Sequence, residues 1–160
     1  MTKAIYPGTF DPLTLGHEDI ARRSAAVFSE LLIAVSEGGR ATMFSIDERV
    51  AMATKAFGKI PGVQVISFSG LLIDLCKKHK ASVIVRGVRT FADFEYEAEM
   101  ASLNRQMSSK LDTVYLSTTD SLRAISGSRV REIAKLGGPY QSFVSKSVAS
   151  LVEKKLKAIK

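Results

Sequence analysis

Tyr6-Pro7-Gly8-Thr9-Phe10-Asp11-Pro12-Leu13-Thr14-Leu15-Gly16-His17 is the stretch on which the fold turns. Lys3 to Tyr6 reads as a short strand, the prolines and glycines mark a turn, and Gly16-His17 reads as the start of a helix. A helix entrance just past a strand end carries unsatisfied backbone N–H groups and the positive end of the helix dipole, and together these make an anion site. Gly8 and Gly16 let backbone approach a ligand closely, and Thr9 offers a hydroxyl. His17 adds a side-chain donor whose ordinary pKa lets it become cationic near neutral pH. The ligand expected there is a nucleotide phosphate.

Outward from this stretch, short apolar runs alternate with helical patterns. Leu31 to Val35, Val63 to Phe68, Ser82 to Val85 and Thr113 to Leu116 read as further strands of a sheet covered on both faces. The first helix carries His17, Ile20, Ala21, Ser24, Val27 and Phe28 on one face. The second opens with the capping-box pattern Ser45-Ile46-Asp47-Glu48 and buries Ile46, Val50, Ala53 and Phe57. Leu71 to His79, Thr90 to Ser108 and the segment after Ser128 read as three more, the last stopped by Gly137-Gly138-Pro139. Such alternation predicts a single-domain α/β fold over residues 1–160. Its form is a doubly wound, Rossmann-like parallel sheet of five strands, with helices on both faces and a C-terminal helix. Ligands of such sheets bind beyond the C-terminal strand ends, which selects residues 7–17, 36–44, 86–93 and 117–128.

Those segments carry phosphate chemistry without the common fingerprints. Neither G-x-x-x-x-G-K-[ST] nor a G-x-G-x-x-G after a strand is present. Arg86-Gly87-Val88-Arg89 instead puts two guanidinium forks at a strand end, suited to bidentate phosphate binding. Asp93 and Glu97 lie four apart on one helical face; acids placed early stabilise the helix start, and Glu97 can also hold an arginine in position or accept from a ribose. Ile125-Ser126-Gly127-Ser128-Arg129-Val130-Arg131 is a second hydroxyl-rich helix entrance. Arg131, a cation read as lying in its first turn, suggests an anion nearby.

The 160 residues carry a net charge of +7, all of it from residues 101–160. Val148, Leu151, Val152, Leu156 and Ile159 follow helical spacing, so the C-terminal lysines read as the solvated face of a packed helix. No aromatics are interleaved as a nucleic-acid-binding run would require. One cysteine, Cys76, on an apolar helical face, reads as core and allows no intrachain disulfide. No apolar run is long enough to span a membrane, and the first residues lack a signal-peptide build. A cytoplasmic protein with no membrane or nucleic-acid partner is expected.

Together, T-x-G-H near the start and I-S-x-S-x-x-R near the end resemble the two signature motifs of the nucleotidylyltransferase superfamily. Y-P-G-T-F-D-P-L-T-L-G-H, R-G-V-R and D-F-E-Y-E are similar to the bacterial phosphopantetheine adenylyltransferase family, from Ala4 to about Val152. That resemblance implies transfer of AMP from ATP to 4′-phosphopantetheine, giving dephospho-coenzyme A and pyrophosphate, the penultimate step of coenzyme A synthesis. It also implies Mg²⁺ and a cytoplasmic homohexamer; because the sequence shows no dedicated carboxylate cage, the metal is expected mainly on triphosphate oxygens and water. It casts His17 as the transition-state stabiliser, and Thr9, Phe10, Gly87, Val88, Arg89 and Glu97 as nucleotide contacts. Leu122, Arg123, Ala124, Ile125, Ser126, Gly127 and Ser128 would wrap the adenine and triphosphate, with Arg131 supporting. Thr9, Arg40, Leu72 and Arg86 would meet the acceptor. Three positions depart from the family's usual residues. Arg40 replaces a lysine and turns a point charge into a fork; Leu122 replaces a stacking aromatic; Gly127 replaces a serine and leaves only its backbone N–H. Transfer to nicotinate mononucleotide, or of a cytidylyl group, is the nearest rival. Against it stands Thr14, where those relatives more often carry a second histidine. A non-catalytic nucleotide- or nucleic-acid-binding module is the rival from another class.

Overall fold

Leu31 to Val35 are all buried, and their side chains alternate between two separate apolar clusters. Leu31, Ile33 and Val35 pack with Ala4, Tyr6 and Val85 on one side, whereas Leu32 and Ala34 pack with Ile5 and Ile84 on the other. This period of two with no polar face is what a strand covered on both sides requires. Each such Leu, Ile or Val contributes roughly 1.5–3 kcal/mol relative to exposure.

The computed structural model describes residues 2–38 and 42–159. Its strands are β1 (Lys3–Gly8), β2 (Glu30–Ser36), β3 (Val63–Phe68), β4 (Val83–Val88) and β5 (Asp112–Ser117), in the order β3-β2-β1-β4-β5. All pairings are parallel. The helices are α1 (Leu15–Val27), α2 (Ile46–Phe57), α3 (Leu72–His79), α4 (Phe91–Met107), α5 (Gly127–Lys135) and α6 (Lys146–Ile159). Side chains of α1, α2, α5 and α6 fill the first cluster; Ile73, Leu75 and Cys76 of α3 fill the second. The five-stranded doubly wound sheet expected from the sequence is therefore present. Its strand order reverses between β1 and β4, the position where such sheets open a crevice.

Local differences have local causes. α1 begins at Leu15 rather than Gly16, because Thr14 is its N-cap. The Thr14 hydroxyl accepts from the His17 N–H while the His17 ring reaches back to the Thr14 N–H, a capping box with histidine in the usual Glu or Gln position. α5 begins after Ser126, which caps the Arg129 N–H at 3.2 Å, so Arg131 lies beyond the first turn. Val27, expected on the buried face, is exposed at the last residue of α1. Leu151 is also exposed, while Val148 and Val152 of α6 are buried as read. The Ile159 side chain lies outside the described residues. Lys146, Lys154 and Lys157 of α6 are exposed, Lys157 pairing with Glu153 at 2.7 Å, whereas Lys155 lies half-buried over the Phe44 ring and pairs with Glu48 of α2 at 2.8 Å. Cys76 is core, and burial pushes its thiol pKa up to about 11.

Arg49 is the large polar residue that periodicity misses. It is 1% exposed on α2, and its guanidinium donates to four backbone carbonyls: Phe44 at 3.1 Å, Thr9 at 2.8 Å, Ser36 at 2.6 Å and Glu37 at 3.2 Å. It thereby ties the end of β2 to the loop after β1. Replacing Arg49 with Met should lower the unfolding free energy by about 3 kcal/mol, since four buried acceptors lose a charged donor. Urea denaturation should show a lower midpoint at unchanged slope.

Candidate active site

The site begins with the loop between β1 and α1. Phe10 has a positive φ of 50° and is 1% exposed, its ring edge-on to Tyr6 at 5.5 Å and to His17 at 5.1 Å. Gly8 permits this packing, because a Cβ there would stand 2.8 Å from the Phe10 ring. Asp11, 3% exposed, then folds inward. Its carboxylate accepts from the Met43 N–H at 2.8 Å and the Phe44 N–H at 2.9 Å, and pairs with Arg131 at 3.4 Å. Arg131 also donates to the Asp11 carbonyl. The anion suggested by the placement of Arg131 is therefore supplied by the protein itself.

These contacts bring the two helix entrances together. A Cβ on Gly16 would lie 4.0 Å from the Ile125 carbonyl, and one on Gly127 would lie 3.0 Å from the Asp11 carbonyl. A cavity of about 370 Å³ opens between them, above β1 and β4. Gly16 and His17 of α1, Ser126 before α5, Arg86 and Gly87 of β4, and Arg89 beyond it all line it. A Cβ on Gly87 would press to 3.1 Å on Ile20, so the floor is backbone.

Within the cavity His17 is fixed in one tautomer. Its Nδ1 accepts from the Thr14 N–H at 3.1 Å and faces the Thr14 hydroxyl at 3.0 Å, so the proton resides on Nε2. Burial, with Arg89 adding repulsion, pulls the imidazole pKa down to about 4. At neutral pH His17 is thus a neutral donor, not the cation that the sequence allowed.

The two arginines are held by α4. Arg86 grips Glu97 in bidentate fashion, Nε to Oε2 at 2.6 Å and Nη2 to Oε1, and also donates to the Pro7 carbonyl at 3.2 Å. Arg89 holds Asp93 at 3.0 Å and the Ile125 carbonyl at 3.3 Å. Of the two uses considered for Glu97, the fold realises the one that positions an arginine. A second cavity of about 100 Å³, lined by Leu72, Met100 and Asn104, shares Arg86, Tyr96 and Glu97 with the first.

Other residues singled out by sequence are distributed as follows. His17, Arg86, Gly87, Arg89, Glu97, Ile125 and Ser126 line the main cavity, and Leu72 lines the second. Thr9 is exposed, with its carbonyl on Arg49. Phe10 offers a ligand only backbone, since its ring is enclosed. Val88, Leu122, Arg123, Ala124, Gly127 and Ser128 do not line the cavity. Arg123 is exposed and bound to Asp120 at 2.8 Å, and Leu122 packs against the core. Arg40 lies outside the described residues. Sequence reading missed Asp11 as a hub, Arg49, and Tyr6 and Tyr96 as lining residues. A T-x-x-H pattern was the one available signal for the anchoring of His17 by Thr14. No cluster of three His, Cys, Asp or Glu able to hold a metal occurs among the described residues, and both Asp11 oxygens are engaged. The donors present do not form a protein-held Mg²⁺ site.

A sheet with this order, carrying two helix N-termini and guanidinium groups around one cavity, has the donor set that a polyphosphate requires. The family model described as Cytidylyltransferase-like matches residues 5–133, and the chain belongs to that family. Solved structures agree on the fold. One is a Vibrio parahaemolyticus protein provisionally named nicotinate-nucleotide adenylyltransferase, with a TM-score of 0.66 at 17% identity, covering 98% of this chain and 95% of that one. Another is a lipopolysaccharide core biosynthesis protein from Thermoplasma volcanium, with a TM-score of 0.57 at 22% identity, covering 75% of this chain and 99% of that one. Sequence relatives are more specific. The chain is 46% identical over 159 residues to a phosphopantetheine adenylyltransferase of Janthinobacterium, covering 99% of both. It is 45% identical over 157 residues to one from Polynucleobacter necessarius, covering 98% of this chain and 95% of that one. Within the nucleotidyltransferases the chain belongs to the phosphopantetheine adenylyltransferase family.

The state of His17 is measurable. In the free protein its ring resonance should titrate with a midpoint near 4 in NMR, leaving it neutral from pH 5 to 8. The lowered pKa also sets a sign for stability. Below about 6.5 the unfolded chain takes a proton that the folded chain refuses until about 4, so this group's contribution falls across that window. The loss should reach on the order of 2–3 kcal/mol, level off below the window and vanish above it.

Proposed function

We propose that this protein transfers the adenylyl group of ATP to 4′-phosphopantetheine, releasing pyrophosphate and dephospho-coenzyme A, the penultimate step of coenzyme A synthesis. The family membership supports this reading. The observation that carries it is the convergence of His17, Arg86, Arg89 and Ser126 on one cavity. An oxygen of the acceptor's 4′-phosphate attacks the α-phosphorus of ATP in line. The bond to the bridging oxygen breaks, and pyrophosphate takes the electron pair. A phosphate is already anionic at pH 7, so no general base is needed, and catalysis is positioning plus charge stabilisation.

His17 donates its Nε2–H to an α-phosphate oxygen. Being neutral, it supplies a fixed dipole and needs no proton exchange with solvent. The first N–H groups of α1 and α5 face the triphosphate. Arg86 keeps two of its five N–H donors after Glu97 and Pro7, and these take the acceptor phosphate; Arg89 likewise keeps two for the nucleotide. Gly87 brings backbone to the nucleotide, and Ile125 and Ser126 line its site from the turn before α5. Leu72 and the second cavity take the pantetheine arm, which places the two substrates on either side of the Arg86–Glu97 pair. Thr9 and Arg40 add to the acceptor site. Mg²⁺ bound with ATP would supply charge neutralisation on the triphosphate, with no residue of this chain assigned to hold it.

Six copies assemble through α4. None of its residues is buried in the single chain, and Phe91, Phe94, Tyr96, Met100, Leu103 and Met107 are exposed along it, an apolar surface that monomers rarely leave open. The setting is cytoplasmic. No helix among the described residues is long and apolar enough to cross a membrane, and the single thiol is buried. Pairing of Lys155 with Glu48 and of Lys157 with Glu153 supports reading the basic C-terminal segment as a packed helix rather than a nucleic-acid surface.

Incubation with ATP, Mg²⁺ and 4′-phosphopantetheine should yield dephospho-coenzyme A by mass spectrometry. His17→Ala should keep the circular-dichroism spectrum but lose roughly 10²–10³ in turnover, the usual cost of one charge-stabilising donor. Light scattering should report about six times the 17.4 kDa chain mass. Leu103→Glu should lower that mass without altering helix content.

A further inference from the structure

Tyr6 is a polar residue at the main cavity that has no part in the chemistry above. Lying in β1, it lines the cavity and is 5% exposed, and no residue among those described hydrogen-bonds its hydroxyl. What perturbs the phenol is burial and, at longer range, the charges of Arg86, Asp19 and Arg89. Its oxygen is not among the buried side-chain atoms left without a partner, so it is reached from the cavity, where water or a ligand oxygen can complete its hydrogen bonding. A strand residue with no structural need for its oxygen would be phenylalanine.

The placement of the ring narrows what the oxygen is for. Tyr6 and His17 flank Phe10, each edge-on to it, so one buried aromatic fixes both groups at the same cavity. Arg86 and Arg89 line that cavity as well, while the Asp19 charge is engaged by Arg23 at 3.0 Å. An anion drawn to the two guanidinium groups thus comes within reach of a pre-positioned neutral donor. Burial holds the phenol protonated far above neutral pH, so it can donate throughout the working range.

We infer that the Tyr6 hydroxyl is a substrate contact, donating a hydrogen bond to a phosphate oxygen of the nucleotide or of the acceptor. This rests on the proposed adenylyl transfer. The test is Tyr6→Phe, which removes the oxygen and leaves the ring and its packing on Phe10. Loss of one donor to a charged phosphate should lower kcat/KM roughly 10- to 100-fold. The urea midpoint should stay equal to wild type or rise, because no protein partner is abandoned. A rise confined to the KM for ATP assigns the contact to the triphosphate, and one confined to the KM for 4′-phosphopantetheine assigns it to the acceptor. A fall in kcat alone assigns it to the phosphoryl group in transfer. Activity of Tyr6→Phe within twofold of wild type overturns the inference, as does an activity loss accompanied by an equal loss of stability. Wild-type protein that makes no dephospho-coenzyme A overturns the parent reading instead.

Discussion

The Asp11 carboxylate is the point on which the active end of the molecule depends. It lies at a loop tip that would ordinarily face water, and the fold turns it inward instead. There it takes two backbone N–H groups from the segment before α2 and the guanidinium of Arg131 from α5. A buried carboxylate is tolerable only with such a set of donors. The need to satisfy it draws three separate pieces of chain together. Because α1 leaves the same loop, satisfying Asp11 also sets the N-terminus of α1 against that of α5. Arg49 acts in the complementary sense, one buried cation satisfying four carbonyls around the ends of β1 and β2. The cavity wall is thus made of backbone fixed by opposite charges below the surface.

That arrangement changes the meaning of the histidine. An exposed imidazole at a helix start would titrate near neutrality and offer its charge to a phosphate. Here Thr14 takes one ring nitrogen, Phe10 covers a face and Arg89 stands near enough to repel a proton. The site therefore separates its tasks. Guanidinium groups and helix ends carry the positive potential, and the imidazole carries direction. A donor that never changes charge keeps its geometry from one pH to another, which suits a reaction whose nucleophile is already ionised.

α4 serves two surfaces at once. One side presents Asp93 and Glu97 to Arg89 and Arg86, holding both arginines at the cavity. Another side exposes Phe91 and Leu103, with nothing in the single chain to cover them. Any displacement of the helix would move its acids, and with them the guanidinium forks. Its packing is thereby coupled to the geometry of phosphate binding.

Periodicity and turn chemistry made a large part of this legible. Runs such as Leu31 to Val35 could only be strands covered twice, and Ser45 to Glu48 could only open a helix. The polar strand-end segments fell where a doubly wound sheet binds its ligands. Pairings were not legible. Whether Glu97 holds an arginine or a ribose, which anion answers Arg131, and that Arg49 is buried all depend on partners far away in the chain. Asp11 meets Met43 across 32 positions, and its carbonyl meets Arg131 across 120. A repeat pattern records which face of an element is apolar, because burial acts on each side chain wherever its partners come from. It cannot record which donor meets which acceptor, because that is fixed only when β1 and β4 become neighbours and their loops share one surface. The sequence alone therefore determined the elements, their layering and the family; the charge of His17, the engagement of the cavity arginines and the place of Tyr6 at the cavity were decided by the tertiary fold.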